Sequence, residues 1–207
     1  MVYKIIIITL LGGLLRYVGL DHRMWIDEAW FSFMSMHPLQ EYPSAYLNQL
    51  LPQTEFWIRF PFFICGTLTI PAVYWVLEGN RGLYAASIVA FLPLFVFWST
   101  MARPYAFAGL FMVLGWRYWY LHILAIVTTP IAFVGVHLRR QWMILILGLF
   151  VAVVIFFLRP DSGRDFWSIH YVINNSRLWY LPALAGIMYI YENNNSNHTN
   201  CFRFLRF

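Results

Sequence analysis

Long stretches without a charged residue dominate the chain, separated by short polar punctuation. A helix needs roughly 20 apolar residues to cross a bilayer's hydrocarbon core, so these stretches give a map of expected spans. Residues 5–20 form the first, interrupted only by Arg16, whose long stem lets it snorkel to the interface. Residues 60–77 form the second and 83–102 the third. Between them Glu78-Gly79-Asn80-Arg81-Gly82 is short, polar and glycine-rich, so these two helices are expected to be antiparallel neighbours. Residues 141–158 form a further span and 178–191 a short last one, followed by a polar tail with Asn193-Asn194-Asn195-Ser196-Asn197.

The stretch from Pro104 to Leu138 admits two readings. Residues 104–116 are short for a crossing, whereas 118–138 are long enough for one. A single crossing puts Arg139, Arg140, Arg203 and Arg206 opposite Lys4. A hairpin turning near Thr128-Thr129-Pro130 joins them to Lys4, Arg81 and Arg117 on one side. The positive-inside rule favours the hairpin. In that arrangement the loop 159–177 faces the same compartment as the loops at 21–59 and 99–103.

The expected fold is therefore all-α, a polytopic transmembrane bundle of roughly six to eight membrane helices. It forms a single domain over residues 1–192, with a tail at 193–207. Composition agrees, since 61% of the 207 residues are hydrophobic and 11% charged, against about a quarter charged in a soluble domain. The formal charge of +5 comes from scattered Lys and Arg, which suits lipid headgroups rather than nucleic acid. Cys65 and Cys201 provide neither a disulfide framework nor a metal-binding spacing. Lys4 followed by an apolar run resembles a signal peptide, but no small-residue cleavage site follows. An uncleaved signal anchor is the expectation.

Candidate chemistry lies after the first span, in Asp21-His22-Arg23-Met24-Trp25-Ile26-Asp27-Glu28-Ala29-Trp30-Phe31. Adjacent carboxylates near a low-dielectric boundary do not ionise independently, and one of them could serve as a general base. The competing reading is that Asp27 and Glu28 cap an interfacial helix through its dipole. Trp25, Trp30, Phe31 and Phe33 suit such a helix lying at the membrane surface. His22 and His37 lack a recognised ligand spacing, and no obligatory metal is expected. The second candidate site is Ser99-Thr100-Met101-Ala102-Arg103-Pro104-Tyr105-Ala106. Pro104 suits the first position of a helix, and an arginine beside a helix N-terminus offers positive potential for a phosphate. Snorkelling to headgroups is the alternative for Arg103. Arg159-Pro160-Asp161-Ser162-Gly163-Arg164-Asp165 reads either as a structured lid or as a solvated connector.

Three motifs in order resemble the N-terminal half of GT-C superfamily membrane glycosyltransferases, in the protein O-mannosyltransferase and aminoarabinose-transferase branch. They are Trp25-Ile26-Asp27-Glu28-Ala29, Arg59-Phe60-Pro61 with Gly66-Thr67-Leu68-Thr69-Ile70-Pro71, and Ala102-Arg103-Pro104-Tyr105-Ala106. They fall within residues 1–110. The resemblance implies a polyprenyl-phosphate-linked sugar donor handled at the extracytoplasmic face of a plasma, inner or endoplasmic reticulum membrane. It makes Asp27 the catalytic base with Glu28 as its support. Arg103, then Arg59, then Arg164 become phosphate contacts, and Trp25 and Tyr105 line the substrate pocket. Displacement at the anomeric carbon would release a phosphate, which needs no protonation, so no cofactor is implied.

Two departures bear on that expectation. Relatives often carry an acid two residues before the Arg-Pro-Tyr arginine, where this chain has Met101. The chain is also much shorter than typical members, which implies a minimal or degenerate transferase or one that recruits a partner. The alternative function is a non-catalytic membrane protein that binds or translocates lipid-linked sugars. Such a transporter should show repeats or broken helices, and no internal repeat is present.

Overall fold

The computed structural model describes residues 2–20, 50, 52, 54–102, 105–128, 132 and 180–193. Among these residues there are seven helices and no strand. They are α1 (Val2–Val18), α2 (Glu55–Leu77), α3 (Gly79–Phe91), α4 (Pro93–Thr100), α5 (Tyr105–Gly115), α6 (Tyr120–Thr128) and α7 (Tyr180–Asn193). The fold of the described residues is all-α. The expected interfacial helix after the first span, the span over 141–158, the loop at 159–177 and the tail beyond Asn193 lie outside them.

The second expected span is α2, which starts at Glu55 rather than at residue 60. Thr54 explains the early start. Its hydroxyl accepts a hydrogen bond from the Trp57 N–H at 3.4 Å, and Glu55 puts a negative charge in the first turn, where the helix dipole favours it. With 23 residues, α2 is the one described helix that is by itself long and apolar enough to cross a membrane.

A single residue, Glu78, separates α2 from α3, a tighter link than the five-residue turn expected. Its N–H donates to the Tyr74 carbonyl at 2.8 Å and its own carbonyl accepts from Gly82 N–H at 3.0 Å. Glu78 closes α2 with one bond and opens α3 with the other, and it changes direction between them at φ 54° and ψ 164°, followed by Gly79 at φ 64°. A side chain at that φ/ψ is strained by about 1–3 kcal/mol. Gly82 lets the two backbones close up, because a Cβ there would lie 2.8 Å from the Tyr74 carbonyl oxygen. The helices are antiparallel neighbours, as the polar turn predicts.

The third expected span, 83–102, is not one helix. It breaks at Leu92 into α3 and α4, which meet at 62°. Pro93 is the cause: it has no N–H to give the Val89 carbonyl, and its ring collides with that carbonyl in a continuous helix. At the first position of α4 the same proline costs nothing. If the bent pair counts as one span, the described residues hold two membrane-crossing candidates.

The 17-residue α1 packs on α2 and α3 through a glycine face. A Cβ on Gly12 would sit 2.7 Å from Ile70 Cδ1 and 3.0 Å from Ala90 Cβ, and one on Gly13 would sit 3.2 Å from Thr67 Cγ2. The opposite face, with Ile6, Ile7, Leu10, Leu11 and Leu14, is exposed. The core lies between α2, α3, α4, α5 and α7, where Val73, Val89, Phe95, Met112, Tyr180 and Leu184 are buried together. Tyr180 opens α7 with its ring edge-on to Phe95 at 5.4 Å, and Gly109 of α5 leaves room for its hydroxyl.

One end of the bundle gathers the α2–α3 link, the α5–α6 turn and the end of α7. Here Arg117 reaches the Glu78 carboxylate at 3.3 Å and lies over the Trp75 ring at 4.5 Å. Trp116 donates to the Glu192 carboxylate. The short α6 runs back antiparallel to α5 and ends at Thr128, and the rest of the turn expected at Thr128-Thr129-Pro130 lies outside the described residues. The returning limb lies outside the described residues, Ala132 apart.

Candidate functional site

The opposite end holds Leu20, Arg59 and Ala102, described residues that precede or belong to the three motif segments. Tyr17, in the last turn of α1, makes edge contacts with Phe56 at 6.3 Å and Phe63 at 6.4 Å on α2. Leu20 closes the turn after α1, its N–H bonded to the Tyr17 carbonyl at 3.0 Å. The Arg59 guanidinium, 3% exposed on the second turn of α2, donates through Nη1 to the Leu20 carbonyl at 3.1 Å. Leu20 is the last described residue before the loop that carries Asp27 and Glu28. One conspicuous member of the second motif is therefore bonded to the chain leading into the first.

The second and third motifs also meet. Ile58 and Phe62, on either side of Arg59, pack against Ala102, Ala106 and Phe107 in a separate small core. Phe62 and Phe107 meet edge to face at 5.1 Å. Their rings, with the two small alanines, hold the start of α5 on α2. Tyr105 lies inward at 1% exposure, its ring 6.2 Å from Trp98. Of the residues expected to carry chemistry, Arg59 and Tyr105 are among the described residues, and both are buried. Asp27, Glu28, Trp25, Arg103 and Arg164 lie outside the described residues. Among the described residues, no group of three or more His, Cys, Asp or Glu side chains comes together as a metal site.

The largest departure from the sequence expectation is Arg16. It does not snorkel. Its side chain is fully buried, and its guanidinium makes four hydrogen bonds. Nε donates to Ser99 Oγ at 2.8 Å, and Nη1 donates to the carbonyls of Gly12 at 2.9 Å and Ala90 at 3.1 Å. Nη2 donates to the Val89 carbonyl at 2.8 Å. Val89 and Ala90 lie in the last turn of α3, where the proline break leaves carbonyls without helical donors. The arginine supplies those donors from another helix, and its charge faces the negative end of the α3 dipole.

Ser99 is held in turn. Its hydroxyl accepts from Arg16 and donates to the Val96 carbonyl at 3.1 Å. Gly66 of α2 makes the space, since a Cβ there would collide with Ser99 Cβ and lie 2.7 Å from Ser99 Oγ. A usable signal for this arrangement was present in the sequence. A proline deep in an apolar stretch needs an outside donor, and an arginine inside another stretch is an outside donor. The pairing spans 83 positions, so no local pattern links its two halves.

Among the described residues, this end of the bundle holds two buried guanidinium groups, and Glu55 lies in the first turn of α2, one turn before Arg59. Both guanidinium groups are tied to the last turns of α1, Arg16 by belonging to it and Arg59 through the Leu20 carbonyl. At low dielectric, fixed positive charge of this kind favours an anion more strongly than it would in water. No protein-family profile, characterised protein or solved structure matches the chain.

Proposed function

We propose that the protein is a multi-pass membrane glycosyltransferase of the GT-C type. It would transfer a sugar from a polyprenyl-phosphate donor to an acceptor at the extracytoplasmic face. Membrane residence is supported by the exposed apolar side of α1 and by exposed Ile64, Leu68 and Tyr84 on α2 and α3. Contiguous apolar patches of this extent are unusual on water-soluble monomers, and lipid solvates them without cost. A complete bundle of roughly six to eight spans accommodates the stretches outside the described residues.

The observation that supports the catalytic reading is that Arg59 and its neighbours on α2 contact the described residues leading toward the first and third motifs. Arg59 bonds the carbonyl of Leu20, from which the Asp27 loop departs, while Ile58 and Phe62 hold Ala102, directly before Arg103. Leu20 and Ala102, far apart in sequence, are thereby both held by the start of α2.

In the proposed reaction Asp27 accepts the proton of the acceptor hydroxyl or amine as that group attacks the anomeric carbon. The bond from that carbon to the phosphate oxygen breaks, and the polyprenyl phosphate departs with the electron pair. Arg103 faces the developing phosphate charge, with Arg59 and Arg164 contributing, which lowers the barrier as an oxyanion site does. Glu28 supports Asp27, and Trp25 and Tyr105 shape the donor pocket. A phosphate leaves as an anion, so the second carboxylic acid of glycoside hydrolysis is not needed.

The test is sugar transfer from a polyprenyl-phosphate donor in membranes carrying wild type or Asp27→Asn. Loss of a general base lowers the rate by about 10²–10⁴-fold; equal activity in the two excludes Asp27 as the base. A second reading is a non-catalytic protein that binds or translocates lipid-linked sugars, and the 62° break between α3 and α4 favours it. Broken helices line the central sites of many transporters. Saturable donor binding by wild type without transfer would select that reading.

A further inference from the structure

We propose that Arg16 is a positioning residue: it fixes the bend between α3 and α4 and so the point at which the chain enters Arg103. This rests on the reading of Arg103 as a phosphate contact. The guanidinium touches both limbs of the bend, bonding the Val89 and Ala90 carbonyls on α3 and the Ser99 hydroxyl on α4. It is itself anchored in α1 through the Gly12 carbonyl. Thr100 lies one residue beyond Ser99 and packs beside Gly19, whose Cβ would lie 3.6 Å from Thr100 Oγ1. Met101 then leaves α4 in extended conformation, both it and Ala102 are buried, and Arg103 follows.

A proline break alone does not set an angle. It removes one hydrogen bond and permits a range of bends. The fork of the arginine narrows that range, because its planar group bonds two α3 carbonyls and an α4 hydroxyl at once. Lysine has the charge but not the geometry, having a single ammonium in place of a fork. In hydrocarbon the orphan carbonyls would otherwise demand donors, so Arg16 both permits the break and aims its second limb.

The bend is read directly by dipolar electron resonance between spin labels at Tyr84 on α3 and Phe97 on α4, both exposed. The background carries Cys65→Ala and Cys201→Ala, and the protein is in nanodiscs. Wild type gives one narrow distance. Arg16→Met broadens it, and Arg16→Lys gives an intermediate distribution. Because Arg16→Met alone could fail to fold, the decisive variant is Arg16→Met with Pro93→Ala. The Pro93→Ala change restores an N–H for the Val89 carbonyl, so the folded yield recovers while the distance moves toward the ~20 Å of an unbroken helix.

In the transfer assay that double variant should show a donor KM raised by about tenfold or more, with the acceptor KM within about twofold of wild type. A merely structural role would let it recover donor use together with yield, and that result overturns the proposal. An unchanged distance in both Arg16→Met variants overturns it as well. Failure of wild type to transfer sugar removes the glycosyltransferase reading instead, and the spin-label distances still decide whether Arg16 sets the bend.

Discussion

Arg16 and Arg117 are both arginines in the closing turns of apolar helical segments, and the bundle treats them in opposite ways. Arg117 follows α5, keeps 45% of its side chain exposed, stacks on Trp75 and reaches Glu78 at 3.3 Å. Arg16, in the last turn of α1, is fully buried with four hydrogen bonds to carbonyls and a hydroxyl. Nothing in the neighbouring residues separates the two cases. What separates them lies elsewhere in the chain: Arg117 faces the surface link at Glu78, and Arg16 faces a helix that Pro93 has broken. A charge near a helix end goes to the surface by default, and goes inward when an interior group needs its donors more than the charge needs water.

The comparison is tested first by Arg16→Met. Removing the arginine leaves the Val89 and Ala90 carbonyls without their cross-helix donors. Each buried unsatisfied group costs about 1–3 kcal/mol, so a loss of about 2–5 kcal/mol is expected, reduced by relief of the buried charge. Thermal unfolding in detergent, followed by circular dichroism, should show a steep fall in Tm. Gly66→Ala comes next. Its Cβ would press on the Ser99 side chain, 2.7 Å from Oγ, and push α4 away from the arginine, with a loss of about 1–3 kcal/mol, the range of core overpacking. A Gly66→Ala change that lowers Tm in the wild type but not in a Ser99→Gly background, where the colliding side chain is absent, would assign the loss to that contact.

Glu78→Gly should act in the opposite direction. Glycine relieves the positive φ at the α2–α3 link and should stabilise the protein by about 1 kcal/mol, less the small contribution of the pair with Arg117. Smallest of all is Arg117→Ala. An exposed ion pair with a cation–π contact contributes roughly 1 kcal/mol or less. Its loss should shrink further in high salt, whereas that of Arg16→Met should not, because the Arg16 bonds are buried. Equal salt sensitivity in the two variants would break the distinction between them.

Much of the fold was legible because apolar run length and polar punctuation carry it. The stretch 60–77 anticipated α2, and Glu78 to Gly82 anticipated the antiparallel return into α3. The break in 83–102 was missed, although Pro93 marks it, because apolar windows register charge and not backbone donors. Arg16 was assigned to the interface because three of its four acceptors arise only from helix packing, at separations of 73 to 83 positions. For the candidate site, the motifs named Arg59, and its burial and bond to Leu20 could come only from the fold. Tyr105 was expected at a pocket and is buried against Trp98; an aromatic at a helix start gives no sign of which way it faces.

The long separation between Arg16 and Ser99 has a consequence for biosynthesis. At about 5–20 residues per second, the ribosome takes roughly 4–17 s to add the 83 residues that follow Arg16 up to Ser99. Throughout that interval α1 carries a charge whose cross-helix acceptors have not all been made. Under the proposed membrane reading, α1 must therefore be retained where its arginine can stay hydrated, and it can settle fully into lipid only together with α3 and α4. Assembly of this bundle is obliged to be collective from its first segment.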